Sequence, residues 1–435
     1  MRVAWFSPLP PARSGIATVN AALLERIDAG LAIDCFVDRR SCAAAAAPAG
    51  RGLFDAHDFV WKMRRAPYDL VVYQLGNATW HDYMWAYLAR YPGLVVLHDP
   101  RLHHARARLL LQQGRADDYR AEFWYDHPAA VRDFVEYAAA GLGGAMYYSW
   151  SMLRVVACTA RMIAVHNARV AVDLREEFPD ARVETIRLGT LPLAPADGAR
   201  DRVRASLGIG AGAMVFAAFG KITVEKRIAP IVRALAPLVR DGVDAHLLLA
   251  GDAGGYPDLA REIAGAGARV HVTGYVEERD VADYLAAADA CVCLRWPTAL
   301  ETSASWLQCL AAGRPTVITD LAHLVDVPAA VALRVDLLDE ESSLAAAMRA
   351  LASDDAMRDA MGRAGREYWL AQHTVDAMAE DYRRILPMAA RLPAPAVDDL
   401  PAHFVDDYSA PARAIARAFG VEVDILEGTG RTRPT

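Results

Sequence analysis

A chain of 435 residues exceeds what one ordinary hydrophobic core holds, so two domains or three are expected. At 54% hydrophobic and 23% charged it is expected to be a folded soluble protein. Lys+Arg 47 against Asp+Glu 54, a net charge of −7, excludes blanket attraction to nucleic acid, and an anionic ligand must meet a local cluster of bases.

The start, with VAWFSPLPP soon after Met1, lacks the basic lead, long apolar run and cleavage site of a signal peptide. A cytoplasmic protein is expected, with peripheral contact at the inner membrane face left open. Cys35, Cys42, Cys158, Cys291, Cys293 and Cys309 form no metal-spaced pair, and Cys291 and Cys293 read as small core hydrophobes. The longest uncharged run, Tyr137 to Leu153, is broken by glycines and serines and falls short of the ~20 residues of a membrane span.

In chain order, Arg2 to Ser7 predicts a strand, and a proline-bounded loop then opens a helix near Ile16. Gly15 suits either close backbone approach to a ligand or a plain turn. Ile33 to Val37 is the next strand, Ser41 to Gly52 a low-complexity loop or frayed helix, and Leu70 to Gln74 and Leu94 to Leu97 are bare apolar runs typical of parallel strands covered on both faces. Polar residues follow each: Gly76, Asn77 and His81, then His98, Asp99, His103 and His104. Ligands in open α/β sheets bind at such carboxyl ends, which makes the histidine-rich turn a site candidate. Residues 105 to 160 turn helical and aromatic, Met162 to Val165 is a strand ending at His166, and Val183 to Leu188 leads to a linker.

The alternation then restarts. Val215 to Phe219, Ala245 to Ala250, Val270 to Val272, Ala290 to Leu294 and Leu333 to Val335 are predicted strands, with helices at Ile228 to Leu238, Pro257 to Ala264 and Val281 to Ala288. A long helix from Ser342 and another near Val375 to Met388 close the fold, and the last stretch, ending GTGRTRPT, says little. The prediction is an α/β fold of two doubly wound, Rossmann-like domains facing across a cleft. The boundaries are 1–192, 193–375 and a closing segment 376–435, whose helix is expected to cross back to the first domain.

Two features of the second half suit an anion. Gly220 and Lys221 stand at a strand exit, with Lys226 and Arg227 at the next helix start, and cations so clustered fit a diphosphate. In Leu294 to Asp320, Glu301 lies at a turn, and Thr302, Ser303 and Ser305 follow at a helix start, where backbone N–H groups and the helix dipole attract anions. That helix, Ala304 to Ala312, stops at Gly313 before Pro315.

These residues carry a resemblance. The run from Gly220 to Arg227, VHVTGYV, AAADACVCLR and PTALETSASWLQCLAAGRPTVITD resemble the donor domain of the retaining family 4 glycosyltransferases of GT-B fold. SPLPPARSGIATVNAALL, VVLHDPRLHH and MIAVHNARVAVDL are similar to that family's amino-terminal elements, and the likeness spans about residues 1 to 390. It implies that Lys221 and Lys226 hold the donor diphosphate, Glu301 the sugar hydroxyls, and the backbone of Thr302 to Ser305 sugar and phosphate. It also implies that Gly274, Tyr275 and Val276 lie near the nucleobase, that Gly15 closes over the diphosphate, and that His98 sits by the reacting sugar, with Asp99 and His103 on the acceptor side. Asp99 reads equally well as a helix N-cap before Pro100.

The chain departs from the pattern at Gln308, where the family carries a second glutamate for the ribose. Either Gln308 makes a neutral version of that contact or the ribose is held otherwise. The implied activity is retaining transfer of a hexose from a nucleotide-diphosphate sugar to a saccharide, lipid-linked or small-molecule acceptor, with no cofactor and no metal. A GT-B nucleotide-sugar epimerase and a non-catalytic GT-B partner protein are the alternatives.

Overall fold

Strands that bury both faces must find helices on each side, and the computed structural model is built on that requirement twice. It describes residues 1–27, 30–40, 44–130, 132–397, 399–406 and 410–420. Cys42, part of the Ser41 to Gly52 loop and the closing GTGRTRPT lie outside the described residues. The chain divides into one compact unit of Met1–Ile186, Ala299–Thr302 and Ala379–Thr435, and a second of Arg187–Thr298 and Ser303–Met378.

The first unit holds β1 (Arg2–Phe6), β2 (Ala32–Val37), β3 (Gly52–Asp55), β4 (Leu70–Leu75), β5 (Leu94–Leu97), β6 (Met162–Val165) and β7 (Val183–Thr185). They form one parallel sheet in the order β3-β2-β1-β4-β5-β6-β7. The order reverses between β1 and β4, and crevices for ligands open at such points. Phe6 anchors one face, with ring centroids 5.2 Å from Phe36, 5.0 Å from Phe59 and 5.1 Å from Tyr73. Each such side chain, taken wholly out of water, stabilises the fold by roughly 1.5 to 3 kcal/mol. Helices α1 (Gly15–Arg26), α2 (His103–Gln112) and α3 (Ala116–Asp126) belong to this unit. Strand β3 is absent from the sequence reading because it is a short, half-buried edge strand that opens on a glycine.

The second unit repeats the plan with β8 (Met214–Phe219), β9 (Ala245–Ala250), β10 (Val270–Gly274), β11 (Ala290–Cys293), β12 (Thr316–Thr319) and β13 (Ala332–Val335), in the order β10-β9-β8-β11-β12-β13. The period of two in β8 divides its side chains. Met214, Phe216 and Ala218 join the core beneath α4 (Ile228–Arg240), while Val215, Ala217 and Phe219 join a second core with Leu285, Cys291 and Cys309. Cys291 is fully buried, as expected of a small hydrophobe, and Cys293 is partly so. Helices α5 (Ala304–Ala311), α6 (Glu340–Ser353) and α7 (Asp355–Gln372) follow. The single long helix expected from Ser342 is two, because the side chain of Asp354 caps α7 by accepting from Met357 N.

α8 (Val375–Arg391) belongs to the first unit from Ala379 onward, where Tyr382 packs 5.4 Å from Trp5, ring to ring. A short α9 (Ala402–Val405) follows it. Among the described residues, no helix is long and apolar enough to cross a membrane.

Candidate active site

In the second unit the strand order reverses between β8 and β11, so the loops leaving those two strands flank the crevice. The β8 loop starts at Gly220, whose φ of 81° lies in the left-handed region that favours glycine. A side chain at Gly251, after β9, would collide with the Gly220 carbonyl oxygen at 2.0 Å, so the two strand ends approach as only glycine permits. Lys226 folds back to donate to the Phe219 carbonyl. A Cβ on Gly220 would lie 3.6 Å from Lys226 Nζ and 3.6 Å from Ser305 Oγ, which locates all three at one point. Lys221 runs beside Gly255 in the β9 loop, 3.5 Å from where a Cβ would be.

α5 begins beside them because Ser303 caps it, accepting from Trp306 N at 3.3 Å, with its Oγ 3.1 Å from that of Ser305. The Trp306 indole N–H donates to Thr316 Oγ1 at 3.2 Å and seats the helix on β12. Helix geometry leaves the first-turn N–H groups without carbonyl partners inside the helix, and they and the dipole favour negative charge. Gly313, at φ 65°, ends the helix as expected. Just ahead of Ser303, Leu300 takes the left-handed region at φ 63°, and the Glu301 carboxylate accepts from Ala299 N at 3.0 Å. Glu301 and Thr302 cluster with the first unit, where Thr302 Oγ1 donates to the His166 carbonyl at 3.3 Å.

Arg227 is engaged by an acid of the same unit. Its guanidinium makes a two-pronged ion pair with Glu340, with Nε 2.8 Å from Oε1, and its backbone is left-handed at φ 59°. The pair commits its charge to α6, which weighs against the reading of Arg227 as a donor-binding cation. Tyr275 is exposed beyond the end of β10, Gly274 has φ 73°, and Val276 packs on the core shared with Leu285. Gln308 donates through Nε2 to Glu278 Oε1 at 3.0 Å.

In the first unit Gly15 opens α1 and is exposed. The histidine turn resolves into residues of different kinds. His98 is 8% exposed, with Nε2 2.8 Å from Gln74 Oε1 and Nδ1 3.2 Å from His166 Nε2. Burial, then His166 and His81, hold its imidazole well below the ordinary histidine range. His103 is 1% exposed and bonded through Nε2 to Tyr119 OH at 2.8 Å; burial lowers its pKa to about 3. It is a core residue between α2 and α3, which corrects its placement on the acceptor side. Asp99 accepts from Asn77 N at 2.6 Å and so fixes the turn after β4; the N-cap of α2 is Leu102, and the N-cap reading of Asp99 does not hold. His81, wholly buried, donates from Nδ1 to the Gln74 carbonyl at 2.7 Å, and burial lowers it to about 4. Gln74, His166 and Tyr382 are members of this cluster that the sequence reading did not single out. The signal was a glutamine at the end of an otherwise apolar strand.

Among the described residues no group of three or more His, Cys, Asp or Glu is arranged to hold a metal ion.

Known proteins supply the class. Residues 213–354 match the family model of glycosyl transferases group 1. No curated protein sequence matches the chain. Sucrose-phosphate synthase from Thermosynechococcus elongatus is 18% identical, with a TM-score of 0.64 over 89% of this chain and 98% of its own. HepE from Anabaena, solved with UDP and glucose, is 14% identical, with a TM-score of 0.60 over 89% of this chain and 100% of its own. WaaG, a glycosyltransferase involved in lipopolysaccharide biosynthesis, is 15% identical, with a TM-score of 0.58 over 88% and 99%. The fold is the GT-B fold of these glycosyltransferases. The segment that holds Lys221, Lys226 and Ser305 is the one that matches glycosyl transferases group 1.

Proposed function

We propose that the protein is a retaining, metal-independent hexosyltransferase that moves a sugar from a nucleotide diphosphate to an acceptor hydroxyl in glycan or glycoconjugate assembly. The observation that carries this reading is the convergence of Lys226 Nζ, Ser305 Oγ and the Gly220 backbone at the mouth of the second unit's sheet. Lys226 and its neighbour Lys221 balance the charge that builds on the diphosphate as the glycosidic bond breaks, which is the work a metal would otherwise do. Glu301 takes the sugar hydroxyls. The leaving phosphate oxygen assists the acceptor hydroxyl on the same face of the sugar, so no covalent sugar–enzyme adduct forms.

HepE was solved with UDP-glucose, which makes that donor the first to try. A thermal-shift screen of UDP, GDP, dTDP and ADP sugars tests the reading, since a ligand above its dissociation constant raises stability by mass action. The expected result is a shift with one nucleotide class, transfer that persists in chelator, and an unchanged anomeric configuration in the product. Silence with every donor, or a trapped glycosyl adduct, would overturn it. Product analysis without acceptor separates transfer from epimerisation, which would yield an isomerised sugar.

A further inference from the structure

The buried groups behind His98 assign a tautomer. Gln74 is inaccessible to solvent, and its Nε2 donates to Tyr382 OH at 3.0 Å. The atom turned toward His98 is the amide oxygen, 2.8 Å from His98 Nε2 and 3.4 Å from Tyr382 OH. An amide oxygen only accepts, so the proton of His98 resides on Nε2. A neutral imidazole has one donor and one acceptor nitrogen, which makes His98 Nδ1 the acceptor and His166 Nε2, 3.2 Å away, the donor. A neutral His166 then carries its lone pair on Nδ1. The titratable groups that bear on His98 are His81, from the turn after β4, and His166, from the end of β6, with Tyr382 of α8 behind Gln74. Both His98 nitrogens are engaged inside the protein, so the side chain that sequence similarity places beside the sugar acts through its neighbour.

We propose that Gln74 and Tyr382 are positioning residues for the transfer reaction: Tyr382 orients the Gln74 amide, Gln74 fixes His98 as the Nε2–H tautomer, and His98 holds His166 with Nδ1 as its basic nitrogen. The use of the imidazoles rests on the proposed transfer function; the tautomer does not.

Imidazole ¹⁵N spectra of the full chain read the tautomer directly. The wild type is expected to show His98 protonated at Nε2 and bare at Nδ1. Gln74→Leu removes the acceptor, and Tyr382→Phe, which keeps a ring against Trp5, releases the amide to turn over; both lose the pure pattern. Gln74→Glu keeps an acceptor and the pattern, while its negative charge moves the acid limb of the kcat–pH profile upward by about one unit or more. In turnover, Gln74→Leu and Tyr382→Phe lower kcat by about tenfold or more, with KM for the nucleotide sugar nearly unchanged, and Gln74→Glu recovers part of the loss. Should Gln74→Leu fail to fold, Tyr382→Phe carries the same test. A wild-type His98 protonated at Nδ1, or a Gln74→Leu protein with unchanged tautomer and kcat, overturns the proposal in an active enzyme. A correct tautomer in a chain that transfers no sugar overturns the transfer reading instead, and with it the catalytic use of the network.

Discussion

The two sheets end in opposite chemistry. At the mouth of the second, Lys221, Lys226 and the first turn of α5 put permanent positive charge beside a strand exit. At the mouth of the first, His81 and His98 are buried, burial holds their imidazoles below the ordinary histidine range, and each is bonded to Gln74. A fixed charge near solvent suits an anion that comes and goes, since it costs little desolvation to keep. An uncharged polar network suits the fixing of directions, because each buried atom must find its partner.

The contrast is tested hardest by removing a charge that the first unit does bury. Glu122 and Arg106 form an ion pair of which each partner is at most 3% exposed, joined by His403 Nε2 at 2.7 Å from Glu122 Oε1. Burial alone would raise the Glu122 carboxyl, and Arg106 with His403 outweighs it, so the net shift is downward. Glu122→Ala strands Arg106 and is expected to destabilise the first unit by about 3 to 5 kcal/mol in denaturant melts. On the proposed reading, which sets nucleotide affinity in the second unit, that affinity should scarcely move. An equal loss in both would remove the distinction between them.

Acid provides the next largest effect. The native pKa of His81 lies near 4, below its unfolded value of 6.5, so the unfolded chain binds the proton first. Its contribution is full above about pH 6.5 and is lost as pH falls toward 4, on the order of 3 kcal/mol in all. Melting temperature should drop across that window, and His81→Asn, which keeps a donor without titrating, should flatten the slope.

On the proposed reading Lys226→Ala removes a charge-assisted contact to the diphosphate worth roughly 1.5 to 3 kcal/mol, an expected loss of about 10- to 100-fold in nucleotide-sugar affinity by calorimetry. Arg227→Ala should change it by less than about threefold and cost at most about 1 kcal/mol of stability, since its partner is Glu340 and the pair is partly exposed. A tenfold loss there would restore Arg227 to the donor site.

The strands were readable because parallel strands covered on both faces leave uninterrupted apolar runs, as LVVYQ and LVVL do. The glycine turn after β8 and the start of α5 were readable because glycine and a serine at a helix start act over a few residues. What local pattern could not supply was partnership at a distance. Arg227 finds Glu340 across 113 positions, and Gln74 finds Tyr382 across 308. His98 and His103 lie in one turn and are alike in sequence, yet one ends at a strand mouth and the other faces Tyr119 because α2 starts between them.

Leu300 constrains how this loop could be engineered. A non-glycine residue in the left-handed region stores about 1 to 3 kcal/mol, and here it immediately precedes Glu301. The leucine side chain packs on the first unit's core, so glycine would relieve the backbone while forfeiting that anchor and widening the loop's unfolded ensemble. Replacements chosen to raise melting temperature will therefore find little to gain at this position, and the aim of Glu301 is the property they would put at risk.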